Sequence, residues 1–142
     1  MIIGHHTTGH QSLSSAKWYR VVMVGMESLI GLRASAGGIG LMINGLGMPR
    51  DQLEGTPFES YVIPGLILAA AVGGSMAVAA WTAWRPHPHA ALASLGAGAI
   101  LVTWIAVQVA MLGYLSWLQP VMFLAGLTVM AAAWRWRVAS RR

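Results

Sequence analysis

Four long apolar runs, at about 21–45, 61–84, 90–112 and 114–134, dominate the pattern along the chain, and the segments between and beside them carry most of the charges and prolines. A helix of roughly 20 residues crosses the ~30 Å hydrocarbon core of a bilayer, so each run is long enough to span it. None shows the alternation of a half-buried strand. The runs are apolar around most of their circumference, where a soluble amphipathic helix would carry a single stripe. The pattern predicts an all-α fold, an integral membrane four-helix bundle of up-down-up-down topology in residues 17–142. Residues 1–16 are polar and read as a cytoplasmic tail or a short surface helix.

Proline refines the breaks. Pro64 falls three residues into the second run, where a missing N–H costs little because first-turn donors lack helical acceptors. Pro120 falls seven residues into the fourth, so Tyr114–Gln119 reads as either a kinked first part of that helix or a re-entrant turn. The sequence Arg85-Pro86-His87-Pro88-His89 propagates no helix and predicts a tight hairpin. Ala34-Ser35-Ala36 has the form of a signal cleavage site, but Glu27 interrupts the preceding run, Arg33 directly precedes the site and the apolar pattern continues to Ile43. The segment reads as the first span.

Composition agrees: 56% of the 142 residues are hydrophobic and 9% charged, against about 25% charged in soluble domains. There is no room for a soluble catalytic domain, so chemistry must sit in the membrane or at its rim. The absence of cysteine excludes disulfides, thiolate nucleophiles and Cys-ligated metal centres. The net charge of +5 does not describe a nucleic-acid-binding face, because the basic residues collect at helix ends. Lys17, Arg20, Arg85, Arg135, Arg137, Arg141 and Arg142 fall on one side of the spans, and Arg50 falls on the other beside Asp51, Glu54 and Glu59. The positive-inside rule then places both termini and the Arg85 turn in the cytoplasm of a bacterial inner (plasma) membrane. Trp18, Trp81, Trp84, Trp134 and Trp136 gather at the basic rim; Phe58, Tyr61, Tyr114 and Trp117 gather at the opposite one.

Lipid gives helices no hydrophobic reason to associate, so close backbone approach at small residues supplies the contact. Ala34/Gly38, Ala36/Gly40, Gly73/Ala77, Ala70/Gly74 and Ser94/Gly98 are small pairs four apart, and they predict packing faces centred on Ala34, Gly38, Gly40, Gly73, Gly74 and Gly98. These faces join the spans to one another or join protomers.

Four polar positions inside the spans are the candidate site: Glu27, Arg33, Trp104 and Gln108. Ionisable residues in a span cost about 2.5–3.5 kcal/mol on insertion scales and mark function or a route to the interface. Glu27 and Arg33 lie ~240° apart around the helix, so they do not pair directly. Two arrangements remain open. In one, Glu27 sits near the cytoplasmic interface and Arg33 snorkels toward it; in the other, Arg33 turns into the bundle and meets Trp104 and Gln108, which share a face of the third span, around a polar cavity.

His5, His6, His10, His87 and His89 all fall outside the spans, which argues against haem ligation within the bundle. No metal site and no cofactor are expected, and no nucleophile–base pair, phosphate loop or paired intramembrane carboxylates occur.

Through GTPFESYVIPGLIL (Gly55–Leu68) and WIAVQVAMLGYLSWLQP (Trp104–Pro120) the chain resembles a group of small uncharacterised bacterial inner-membrane proteins with four predicted spans. The first span, LIGLRASAGGIGLMINGLG, is similar to the opening helix of DoxX-like membrane proteins, where an Arg precedes a Gly-rich apolar run, but it has no Lys after the glycines. The resemblance implies a fold and a compartment and carries no catalytic residues. Two functional expectations follow. The first is an accessory or scaffold subunit, associated with lipid and with other membrane subunits or itself, that performs no catalysis and binds no nucleic acid. The alternative is a small proton-coupled transporter using Glu27.

Overall fold

The computed structural model describes residues 8–85 and 87–142, with side chains from Lys17 onward. The chain forms four long helices, α1 (Thr8–Asn44), α2 (Val62–Trp84), α3 (Ala90–Leu112) and α4 (Leu118–Ala139), and all four are long and apolar enough to cross a membrane. The fold is an all-α four-helix bundle. Large apolar side chains such as Leu32, Ile43 and Leu66 cover its exterior, an arrangement that suits lipid rather than water.

No proline precedes Pro49, and α1 runs without interruption from Thr8. Residues 8–16 therefore continue this helix rather than forming a separate tail, and residues 1–7 lie outside the described residues. Three successive left-handed residues, Gly45, Leu46 and Gly47 (φ 64°, 54° and 73°), stop α1. The two glycines take this conformation without steric cost, and the Asn44 Oδ1 accepts from the Leu46 N–H at 3.0 Å.

Consecutive helices are antiparallel. Arg20, near the start of the first span, donates to the Ala83 and Trp84 carbonyl oxygens at the end of α2. The same end gathers Arg85, His87, Ala90 and Trp136 around one depression. The topology is up-down-up-down, and the turn at 85–89 connects α2 directly to α3. Pro64 occupies the first turn of α2. Tyr114–Trp117 is a non-helical turn and α4 begins at Leu118, which corrects the expected start at 114. Pro120 is consequently in the first turn of α4, where its ring kinks no helix.

Met23, Ile30 and Ala34 of α1, Val72, Met76 and Ala79 of α2, Ala97, Leu101 and Ile105 of α3, and Val129 and Ala133 of α4 form the core. α1 packs along α2 and α3 along α4; α2 joins the pairs through α3, while α1 and α4 touch sparsely. Glycine permits both intimate seams. A Cβ on Gly65 would lie 2.5 Å from the Gly38 carbonyl oxygen, and one on Gly126 would lie 2.8 Å from Val102 Cγ2 and 3.3 Å from the Gly98 oxygen. Ala34, Gly38, Gly73 and Gly98 are buried in these contacts. Gly40 instead adjoins Leu46 of its own chain end, and Gly74 has nothing within 4 Å of its added Cβ. Neither makes a contact between helices within this chain. Gly65 and Gly126, which complete the crossings, were not among the expected ones.

The segment between α1 and α2 folds over the end of the bundle. Leu53 and Tyr61 are buried against Leu41, with Met48 and Phe58 packed beside them.

Candidate functional site

Glu27 lies on the inward face of α1, one turn from Met23 and one from Ile30, and its side chain is 0% exposed. Ser94 of α3 adjoins the carboxyl group. Neither carboxylate oxygen has a hydrogen-bond partner, and neither does the Ser94 Oγ. Burying polar atoms without partners costs about 1–3 kcal/mol each, more when charged. Ser94 is the fifth residue of α3, so Glu27 sits about 6 Å inside the basic end of that helix. On its other side Glu27 lines a groove of about 670 Å³ between α1 and α2, together with Ser28, Ser35, Ala77, Trp81 and Trp84.

Arg33 does not join this site. Its side chain is exposed on the outside of the bundle, and the structure does not bring it to Trp104 or Gln108, so the arrangement in which it turns inward is corrected. The angular signal was available: a residue ~240° from an inward Glu27 must face outward. Arg33 also lies deep. A Cβ on Gly73 would meet the Ser35 side chain and lie 3.5 Å from the Gly31 oxygen, which sets Arg33 level with Gly73, the midpoint of Val62–Trp84.

Trp104 and Gln108 are together, but in another place. They wall a partly open chamber of about 70 Å³ at the acidic end, under Leu53, Phe58 and Tyr61 of the folded segment and beside Leu41. The Trp104 Nε1 is buried without a partner. Ten residues of α3, about 15 Å, separate Trp104 from Ser94. The four expected residues thus divide among three places: Glu27 near the basic end, Arg33 on the exterior, and Trp104 with Gln108 in the chamber at the acidic end.

Gln119 was missed by sequence reasoning. It is 6% exposed; its Oε1 accepts from the Leu115 and Ser116 N–H groups, and its Nε2 donates to the Gly113 oxygen. One side chain thereby organises the turn between α3 and α4. A Gln beside a proline at an expected span start was the available signal.

At the basic end Arg20 saturates the last carbonyls of α2, a favourable cation at a helix C-terminus. The Arg85 guanidinium stacks 4.4 Å from the Trp81 ring centroid. His87 and His89 are exposed with ring centroids 5.5 Å apart, and no cluster of three metal-ligating side chains occurs among the described residues. His5 and His6 and the His10 side chain lie outside the described residues.

No protein-family model, curated protein or solved structure matches the chain. What the arrangement offers chemically is one unpartnered acceptor group beside a lateral apolar groove, and one outward cation at mid-depth.

Proposed function

We propose that this chain is an accessory or scaffold subunit of a bacterial inner membrane, with both termini cytoplasmic, that binds a larger membrane protein or a second copy through the outer face of α1 and performs no catalysis. The observation that carries this reading is Arg33. Level with the midpoint of α2, it has about 16 Å of helix on either side, which exceeds the reach of a snorkelling arginine stem. An arginine facing lipid at that depth costs at least about 2.5–3.5 kcal/mol. A carboxylate, carbonyl or buried polar group on a neighbouring helix removes that cost. Gly25 and Ala36, both exposed on the same side of α1, leave room for a close crossing.

The transporter reading draws on Glu27 alone. The seven-to-one distribution of basic residues weighs against a pair of opposed copies, which requires little bias.

Purification of the tagged protein from native membranes in mild detergent, with mass spectrometry of what accompanies it and its absorbance spectrum, tests the proposal. A stoichiometric membrane partner or a homo-oligomer is expected. Arg33→Leu should leave insertion intact and reduce recovered partner at least tenfold, equivalent to about 1.4 kcal/mol. A monomer without partners, unchanged by Arg33→Leu, overturns it.

A further inference from the structure

We infer that the groove between α1 and α2 is a binding site for an amphipathic primary ammonium ion, its head on Glu27 and its apolar chain along the helix seam.

Glu27 is wholly buried in the wall of the groove, and its carboxylate oxygens have no hydrogen-bond partner, the Ser94 hydroxyl of α3 being the polar group beside them. Among the described residues no cation reaches the carboxylate. Arg20 is committed to the carbonyl oxygens of Ala83 and Trp84, Arg85 stacks on Trp81, and Arg33 faces outward, away from Glu27. A primary ammonium offers three N–H donors, a quaternary ammonium none, and an anionic head would be repelled. The groove also fits an amphiphile lengthwise. At the basic rim stand Trp84 and Trp81, 71% and 59% exposed; at mid-depth it ends at Ser35 and Gly73. A molecule with its head at Glu27 and its chain toward Gly73 is oriented like a lipid of the leaflet on the basic side. Leu32 and Ala77, both exposed, form walls open to the bilayer, so entry is lateral.

The head chemistry is shared by an ethanolamine phospholipid and a free alkylamine. The full chain in mild detergent, analysed by native mass spectrometry, separates them when titrated with phosphatidylethanolamine, phosphatidylcholine and phosphatidylglycerol of identical acyl chains and with dodecylamine. Retention of phosphatidylethanolamine at least tenfold above the other two lipids identifies a lipid ligand, and retention of dodecylamine without lipid preference identifies a free amine; either supports the site. Glu27→Gln should weaken the retained ligand at least tenfold. Ala77→Leu, at an exposed groove position that leaves the carboxyl untouched, should do the same and decides the matter if the Gln variant does not fold. Equal retention of all three lipids with no retention of dodecylamine, or binding unchanged by both substitutions, overturns the inference. The test reads lipid and amine alone, so its failure leaves the partner-binding role of Arg33 untouched.

Discussion

The Tyr61 hydroxyl donates to the Pro49 carbonyl oxygen at 2.8 Å, and through that bond the segment between α1 and α2 is held over the chamber at the acidic end. Tyr61 precedes the first residue of the second span. Burial, and then the negative charge of Asp51, raise its phenol above the ordinary value of 10.0. Below about pH 10 the phenol is neutral whether or not the segment is folded; above it the unfolded segment ionises first, so folding stability falls as pH rises through the raised value. Tyr61→Phe should cost about 1 kcal/mol at neutral pH and abolish that part of the alkaline decline, as read by thermal unfolding in detergent across the alkaline range. Glu27 and Arg33 show how far single residues were legible. Their angular separation follows from the sequence, whereas the level of Arg33 and the face it takes, left open between two arrangements, come from the structure. That Trp104 and Gln108 face a folded connecting segment was not legible, because Leu53, Phe58 and Tyr61 are spread over nine residues with no period to mark a buried face.

In α2 the residues Leu68–Gly73 form a π-helical turn. Its cause lies in the partner helix. Gly38 and Gly31 of α1 are seven residues apart and meet Gly65 and Gly73 of α2, which are eight apart. One extra residue on α2 must be absorbed for both glycines to face α1, and the wide turn absorbs it. Deleting Ala71, which is exposed within this turn, should therefore convert it to regular α-helix and keep stability within about 1 kcal/mol of the parent. Deleting Ala77 beyond it rotates Ala79 and Ala83 by ~100° out of the core and should cost about 3 kcal/mol or more; denaturant titration of both variants in detergent gives the comparison. The run Leu66–Val72 contains no helix breaker, so nothing in its own composition announces the turn. The spans themselves were legible because apolar length is a local property. The start of α4 was not, since Tyr114–Leu118 is as apolar as a helix and the Gln119 contacts decide its shape.

Across the whole molecule, charge and shape point the same way. Seven of the nine basic residues lie at one end of the bundle, and Asp51, Glu54 and Glu59 are exposed at the other. The chain lacks cysteine, so single introduced thiols report sidedness directly. Glu54→Cys should react with a membrane-impermeant maleimide in spheroplasts, and Ser140→Cys only after permeabilisation; the reverse pattern would refute the proposed orientation. The helices form two pairs, α1 with α2 and α3 with α4, and each pair is drawn together over glycine. Arg20 fastens the first pair where α2 ends, through a contact made entirely within residues that precede the turn at 85–89. During synthesis the first hairpin can thus latch shut while the second is still in the ribosome, leaving the later half of the chain to dock onto a surface already built.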